Sequence, residues 1–237
     1  MEKVKGVSII IPTLNSGNDL EKTLISITKQ KGVKYEIIIQ DCNSTDDTFE
    51  ISKKYTSRYF KEKDKGLYDA FNRGINKSNY NWIYFVGSGD VFYNDYSLNN
   101  LFKKTSNKVK VVYGNTLYKN KNIFFIDRLN ELNFDKGMPF CHQSAIFNKS
   151  IFENNMFSLN YKYASDYNHL IKFIEEKDEF IYSNQIVARY ELNGLSYVNR
   201  KQAHFEKNHI RLNNKKIKYS NYLINKLKIY LYYTLFK

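Results

Sequence analysis

Three apolar runs in the first 90 residues constrain the fold of this chain more than any other feature: VSIIIPT (Val7–Thr13), YEIIIQD (Tyr35–Asp41) and NWIYFV (residues 81–86). Each is short, rich in β-branched or aromatic residues, and stops at a cluster of turn-forming residues, the pattern of strands buried on both faces. The segments between them have helical character. Leu20, Leu24 and Ile27 share one face of a helix expected to be capped by Asn18 or Asp19 and to run to about Lys31. A second helix is expected over residues 45–55, a short extended piece at RYFKEKD, and a third helix over Leu67–Lys77. This alternation predicts an α/β fold: a Rossmann-like, mostly parallel sheet with helices on both faces. Parallel strands bring their C-terminal ends to one edge, where ligands bind. That edge collects PTLN (residues 12–15), Asp41 and GSGD (residues 87–90), so two carboxylates, Asp41 and Asp90, arrive from separate strands.

After Asp90 the pattern changes. VKVVYGNTLY, NIFFIDR, CHQSAIF and FIYSNQIVARY read as strands of a mixed sheet, and ASDYNHLIKFIEE (residues 164–176) as a helix. No repeat or low-complexity linker separates these parts. The reading is one compact unit over residues 1–199, divided at about residue 118, followed by a helical tail over 200–237. The N-terminus passes from MEKVKG directly into the first strand, so no signal peptide is expected. No apolar run approaches the ~20 residues that span a bilayer. Cys42 and Cys141 lack metal-ligand spacing, and a reduced, cytoplasmic setting is expected. The net charge of +13 is concentrated: residues 200–237 hold ten Lys/Arg against one acid, Glu206, a net +9 that leaves +4 for the rest. That distribution argues against a nucleic-acid groove spread over the core.

Six segments, in order, carry a family likeness: VSIIIPTLN, EIIIQDCNSTDDT, DKGLYDAFNRGI, FVGSGD, CHQSAIF and YASDYNHLIK. Together they resemble the family 2 glycosyltransferases of the GT-A fold, most of all the bacterial enzymes that build capsules, lipopolysaccharide O-antigens and exopolysaccharides. The likeness covers roughly residues 4 to 200. It implies a nucleotide-sugar donor, with UDP expected ahead of GDP, and a glycan or lipid-linked glycan as acceptor. By the resemblance Pro12, Thr13 and Asn15 lie at the donor, Asp41 contacts the base, and Asp64 helps hold the base or ribose. Lys65 and Arg73 become candidates for the diphosphate. Ser88, Gly89 and Asp90 match the DxD motif, whose last acid holds Mg²⁺ or Mn²⁺ against the diphosphate. The first acidic position of that motif is Ser88 here, so a cation would rest on one protein carboxylate plus phosphate oxygens and waters. His142, followed by Gln143, is a candidate contact for diphosphate, metal or acceptor.

Asp166 matches the element in which the family places its catalytic base. An acceptor hydroxyl attacking an anomeric carbon must lose a proton, and a nearby carboxylate can take it. One base and no second carboxylate placed as nucleophile imply direct displacement with inversion. Two other readings fit less well. A sugar-nucleotide pyrophosphorylase would need a Gly-rich loop after the first strand, where PTLNSGND stands. An RNA-binding or scaffold protein is suggested by charge alone, and Asp41, Asp64 and Asp90 would repel a phosphate backbone. In the tail, Leu223, Leu227, Tyr230 and Phe236 recur at roughly helical spacing among lysines. Such a helix can pack on the core, join two copies, or lie on an anionic membrane surface, and the last is the expectation pursued below.

Overall fold

The computed structural model describes residues 5–120, 123–127, 133–134, 137–173, 179–191 and 195–235. Strands β1 (Val7–Thr13), β2 (Tyr35–Asp41), β3 (Tyr59–Lys61) and β4 (Trp82–Phe85) form a parallel sheet in the order β3-β2-β1-β4. The sheet continues from β4 into β8 (Ala145–Asn148) and then β6 (Val111–Asn120), each junction antiparallel. β9 (Phe180–Glu191) runs parallel to β6, β5 (Val91–Phe92) closes that end, and β7 (Ile123–Asp127) pairs with β6. A parallel half and a mixed half therefore share one nine-stranded sheet.

Alternation along β1 shows why both faces are covered. Ile9 and Ile11 point into one core with Leu20, Leu24 and Ile27 of α1 (Gly17–Thr28), Ile51 of α2 (Thr48–Ser52), and Leu98 and Leu101 of α4 (Ser97–Phe102). Ile10 points to the other, with Tyr68, Phe71 and Ile75 of α3 (Leu67–Lys77), Tyr167 and Leu170 of α5 (Ser165–Leu170), and Ile210 of α7 (Arg200–Asn213). Each such isoleucine is fully buried and contributes roughly 1.5–3 kcal/mol. At Gly74 of α3 a Cβ would fall 2.4 Å from Ile10 Cγ2, so this helix can lie on the sheet only because that position is glycine.

Several elements differ from expectation. α1 stops at Thr28, because the Lys31 amide bonds the Asp95 carbonyl at 2.8 Å and Gly32 takes a left-handed φ of 79°. α2 is shorter than residues 45–55, since Asn43 (φ 59°) and the Asp46 carboxylate hold the preceding residues in a turn. Asp46 accepts the amides of Thr48 and of Gly17, both at 3.1 Å, and so ties the start of α2 to that of α1. In CHQSAIF only the last part is strand, because residues 142–144 form a 3-10 turn. The helix at 165 passes into 3-10 geometry at 171–173, and residues 174–176 lie outside the described residues. Short elements β5, α4 and α6 (Leu195–Val198) were not expected.

The tail forms two helices, α7 and α8 (Tyr219–Leu235), joined by Asn208 Nδ2 donating to the Tyr222 carbonyl at 3.0 Å. Phe236 lies outside the described residues. Among the described residues no helix is long and apolar enough to cross a membrane.

Candidate active site at the C-terminal edge of the parallel sheet

β4 ends beside Ile10 of β1, and the chain turns through Gly87–Ser88–Gly89–Asp90 at the expected edge. Thr23 of α1 pins this turn: its buried hydroxyl accepts the Gly89 amide at 2.8 Å and donates to the Asp90 carbonyl at 2.9 Å. Gly89 has φ 101°, a conformation open to glycine. The Asp90 carboxylate is held by the Gly87 amide and by Gln143 Nε2, both at 3.3 Å from Oδ2.

Gln143 is itself oriented from two sides. Tyr84 donates its hydroxyl to the Gln143 carbonyl at 2.6 Å, and the Cys141 thiol donates to Oε1 at 2.9 Å. Burial pushes the Cys141 thiol up to about 11, so it stays an S–H donor and turns the amide nitrogen toward Asp90. His142 stacks on Phe85, with ring centroids 4.9 Å apart and planes 13° apart. Burial holds its imidazole below the ordinary range against the opposing pull of Asp166, which favours a neutral ring.

Asp166 sits in the first turn of α5. Its Oδ1 accepts the Tyr68 hydroxyl at 3.0 Å and the Tyr167 amide at 2.8 Å, and among the described residues Oδ2 has no hydrogen-bond donor. Burial, reinforced by the Asp166 charge, keeps the Tyr68 phenol protonated well above its ordinary range. The loop entering α5 is gripped by Glu206 of α7, which accepts the amides of Lys162, Tyr163 and Ala164 at 2.8 to 2.9 Å.

One cavity of about 540 Å³ lies here, and its walls include Asp19, Ser88, Gly89, Asp90, His142 and Asp166. The structure thus brings together five of the residues expected from sequence: Ser88, Gly89, Asp90, His142 and Asp166. The others lie outside the cavity lining. Thr13 reaches it indirectly, through hydroxyl contacts Thr13–Ser16 at 2.6 Å and Ser16–Ser88 at 3.2 Å. Pro12 pairs with Gln40 across β1 and β2. Asn15, at φ 49°, donates its amide to Ser44 Oγ and accepts that of Thr45, knitting two strand-end loops together. Asp41 is fully buried and holds both the amide and the hydroxyl of Ser44. Asp64 accepts the Gly66 amide at 2.8 Å, and the Lys65 amide bonds Asp69. Arg73 pairs with Asp69 and Glu62 on the outer face of α3.

Tyr68, Gln143 and Glu206 are site residues that the sequence reading did not assign to these roles. Their partners lie 98, 53 and about 40 residues away in sequence, beyond any local motif. Among the described residues no three His, Cys, Asp or Glu side chains converge as a metal cage. One carboxylate beside the Ser88 hydroxyl suits a hard cation that takes most of its ligands from substrate and water.

The sequence model described as Glycosyl transferase family 2 matches residues 8–173. A PGL/p-HBAD biosynthesis glycosyltransferase of Mycobacterium bovis (strain BCG) is 30% identical over 205 residues, covering 80% of this chain and 78% of that one. Among solved structures, S. aureus TarS in complex with UDP superposes with a TM-score of 0.67 at 17% identity, over 97% of this chain and 72% of that one. The mannosyltransferase PcManGT from Pyrobaculum calidifontis, in complex with GDP-Man and Mn²⁺, gives 0.68 at 14% identity, over 98% and 72%. These likenesses show the GT-A fold. Family match and identity together establish that the chain belongs to glycosyl transferase family 2 and is a glycosyltransferase.

Proposed function

We propose that the chain transfers a sugar from a nucleotide-activated donor, a UDP-sugar in first place, to a hydroxyl of a glycan or lipid-linked glycan, with inversion. The biological setting is synthesis of a bacterial surface polysaccharide at the cytoplasmic face of the membrane. The observation that carries this reading is the placement of Ser88–Gly89–Asp90 and Asp166 around a single cavity. The donor diphosphate belongs at Ser88–Asp90, where Mg²⁺ or Mn²⁺ on Asp90 would neutralise the leaving group's charge. The complexes of TarS with UDP and of PcManGT with GDP-Man and Mn²⁺ support a donor and a cation of these kinds.

Asp166 takes the proton of the attacking hydroxyl at Oδ2, while Tyr68 holds Oδ1. Among the described residues the cavity's other carboxylate, Asp19, is paired with Lys22 at 2.9 Å rather than arranged as a second nucleophile beside Asp90 and Asp166. That supports single displacement. Neutral His142 supports the site between these acids. Pro12, Thr13, Asn15, Asp64 and Lys65 frame the donor side. Asp41 and Arg73 act through the loops and the helix they hold.

Incubation with a panel of nucleotide sugars and Mn²⁺ tests the reading. Donor turnover that ceases in EDTA and in Asp90→Ala is expected. Pyrophosphate-dependent exchange would instead identify a pyrophosphorylase, and full activity in EDTA would remove the cation.

A further inference from the structure

Arg200, His204 and Lys207 lie on one face of α7, four and three residues apart, and all three line the cavity, as does Lys162. Like charges gathered on one wall repel one another, so such a wall is normally interleaved with acids. Here it is not: among the described residues no carboxylate lies within ion-pair distance of Arg200, Lys207 or Lys162. The nearest acid in sequence, Glu206, is engaged with three backbone amides. Elsewhere in the molecule Arg58, Arg73 and Lys77 all have carboxylate partners. Partial burial, ahead of the positive charges of Lys207, Arg211 and Arg200, holds His204 below its ordinary range.

The location of this wall indicates which ligand it serves. α7 is the helix that holds the loop of the proposed base, whereas the donor end of the cavity is built by β4 and α1. Tyr163, Tyr190 and Tyr197 complete the lining on this side. Arg200 and His204 both reach Tyr233 of α8, the guanidinium 5.9 Å from the ring centroid and Nδ1 at 3.2 Å from the hydroxyl. α8 has no buried residue and exposes Leu223, Leu227, Tyr230 and Leu231. Arg200 and His204 therefore stand between the cavity and an apolar helix, where a ligand with an anionic head and an apolar tail would be received.

We infer that Arg200, His204, Lys207 and Lys162 form a second anion subsite, separate from the donor diphosphate at Ser88–Asp90, that takes the phosphate or diphosphate of a lipid-linked acceptor. This rests on the glycosyltransferase reading for which end of the cavity holds the donor. Arg forks onto phosphate oxygens, and the lysines add point charge.

The test is a calorimetric titration of geranyl diphosphate into the full chain, with the donor site filled by UDP and Mn²⁺ and again without nucleotide. Binding is expected in both, absent for geraniol. It should weaken about 10- to 100-fold in Arg200→Gln/Lys207→Gln, as for loss of hydrogen bonds to a charged group. UDP affinity should be unchanged, which also shows that the variant is folded. A parallel loss of UDP affinity, or displacement of geranyl diphosphate by UDP, would assign the cations to the donor and overturn the inference. Equal affinity for inorganic pyrophosphate would overturn the lipid-linked assignment. Failure of UDP itself to bind would count against the donor reading, and the nucleotide-free titration would still decide the subsite.

Discussion

A carboxylate that is to accept a proton needs one oxygen fixed and the other available, and Asp166 has that division, with Tyr68 and the Tyr167 amide both on Oδ1. Asp166→Asn keeps the shape and removes the proposed base. Turnover should fall roughly 10²–10⁴-fold, with nucleoside diphosphate affinity nearly unchanged. Near-normal turnover, or parallel loss of nucleotide binding, would contradict the role. A second residue reports on acid stability. His169 is buried against Phe152, its Nε2 lacks a hydrogen-bond partner among the described residues, and burial, with Lys172 and His142 nearby, holds it down to about 3. The unfolded chain takes this proton below about pH 6.5, and the folded chain does not until about 3. Its contribution is therefore fully present above pH 6.5 and is lost as pH falls through that window. Urea midpoints of His169→Leu should vary less with pH between 6 and 4 than those of the wild type; identical slopes would refute this. Asp90 and Asp166 were legible in the sequence because each stands in a local motif. The contacts of Tyr68, Gln143 and Glu206 were not, because folding alone joins them to their partners.

At the scale of elements, the long apolar strands and α3 could be read from pattern, since burial on both faces leaves few alternatives to β1, β2 and β4. The shorter elements were misjudged where tertiary bonds overrule periodicity, as when Asp46 reaches from one strand-end loop to cap the helix of another. The tail was legible as helix but not as part of the site. α7 enters the cavity with Arg200, His204 and Lys207, and Glu206 holds three consecutive amides of the loop before Asp166. Hydrogen bonds to a charged group are worth about 1.5–3 kcal/mol each, and their loss frees the loop that leads to the proposed base. Glu206→Gln should therefore lower kcat about 10- to 100-fold, the scale expected from misplacing a reacting group, while the donor KM stays within about twofold. A purely structural role would lower the melting temperature and leave kcat of the folded fraction intact, so the split between kcat and KM decides.

Across the whole molecule, exposed apolar side chains gather on one helix, with lysines beside them. α8 packs on α7 along one side and otherwise exposes Tyr219, Leu223, Ile224, Leu227, Tyr230 and Leu231, flanked by Lys218, Lys226 and Lys228. Among the described residues none of α8 is buried, which argues against the alternative of a helix packed into the core. Two chain copies meeting here would bring their lysines together. An anionic bilayer would instead complement both features, with leucines and tyrosines in the interface and lysines at the headgroups. Each lysine near such a surface adds about 1 kcal/mol, and that attraction decays within a Debye length, ~10 Å at 0.1 M salt. The full chain should co-sediment with phosphatidylglycerol-containing vesicles at low salt, less at high salt, and weakly with phosphatidylcholine alone. Leu223→Glu/Leu227→Glu alters two exposed positions and should abolish sedimentation without loss of nucleotide binding, and truncation after Asn214 should do the same to the membrane step. If the wild type ignores anionic vesicles at low salt, the membrane role of α8 fails; if it sediments as a dimer whose halves separate in the leucine variant, the helix joins two copies instead.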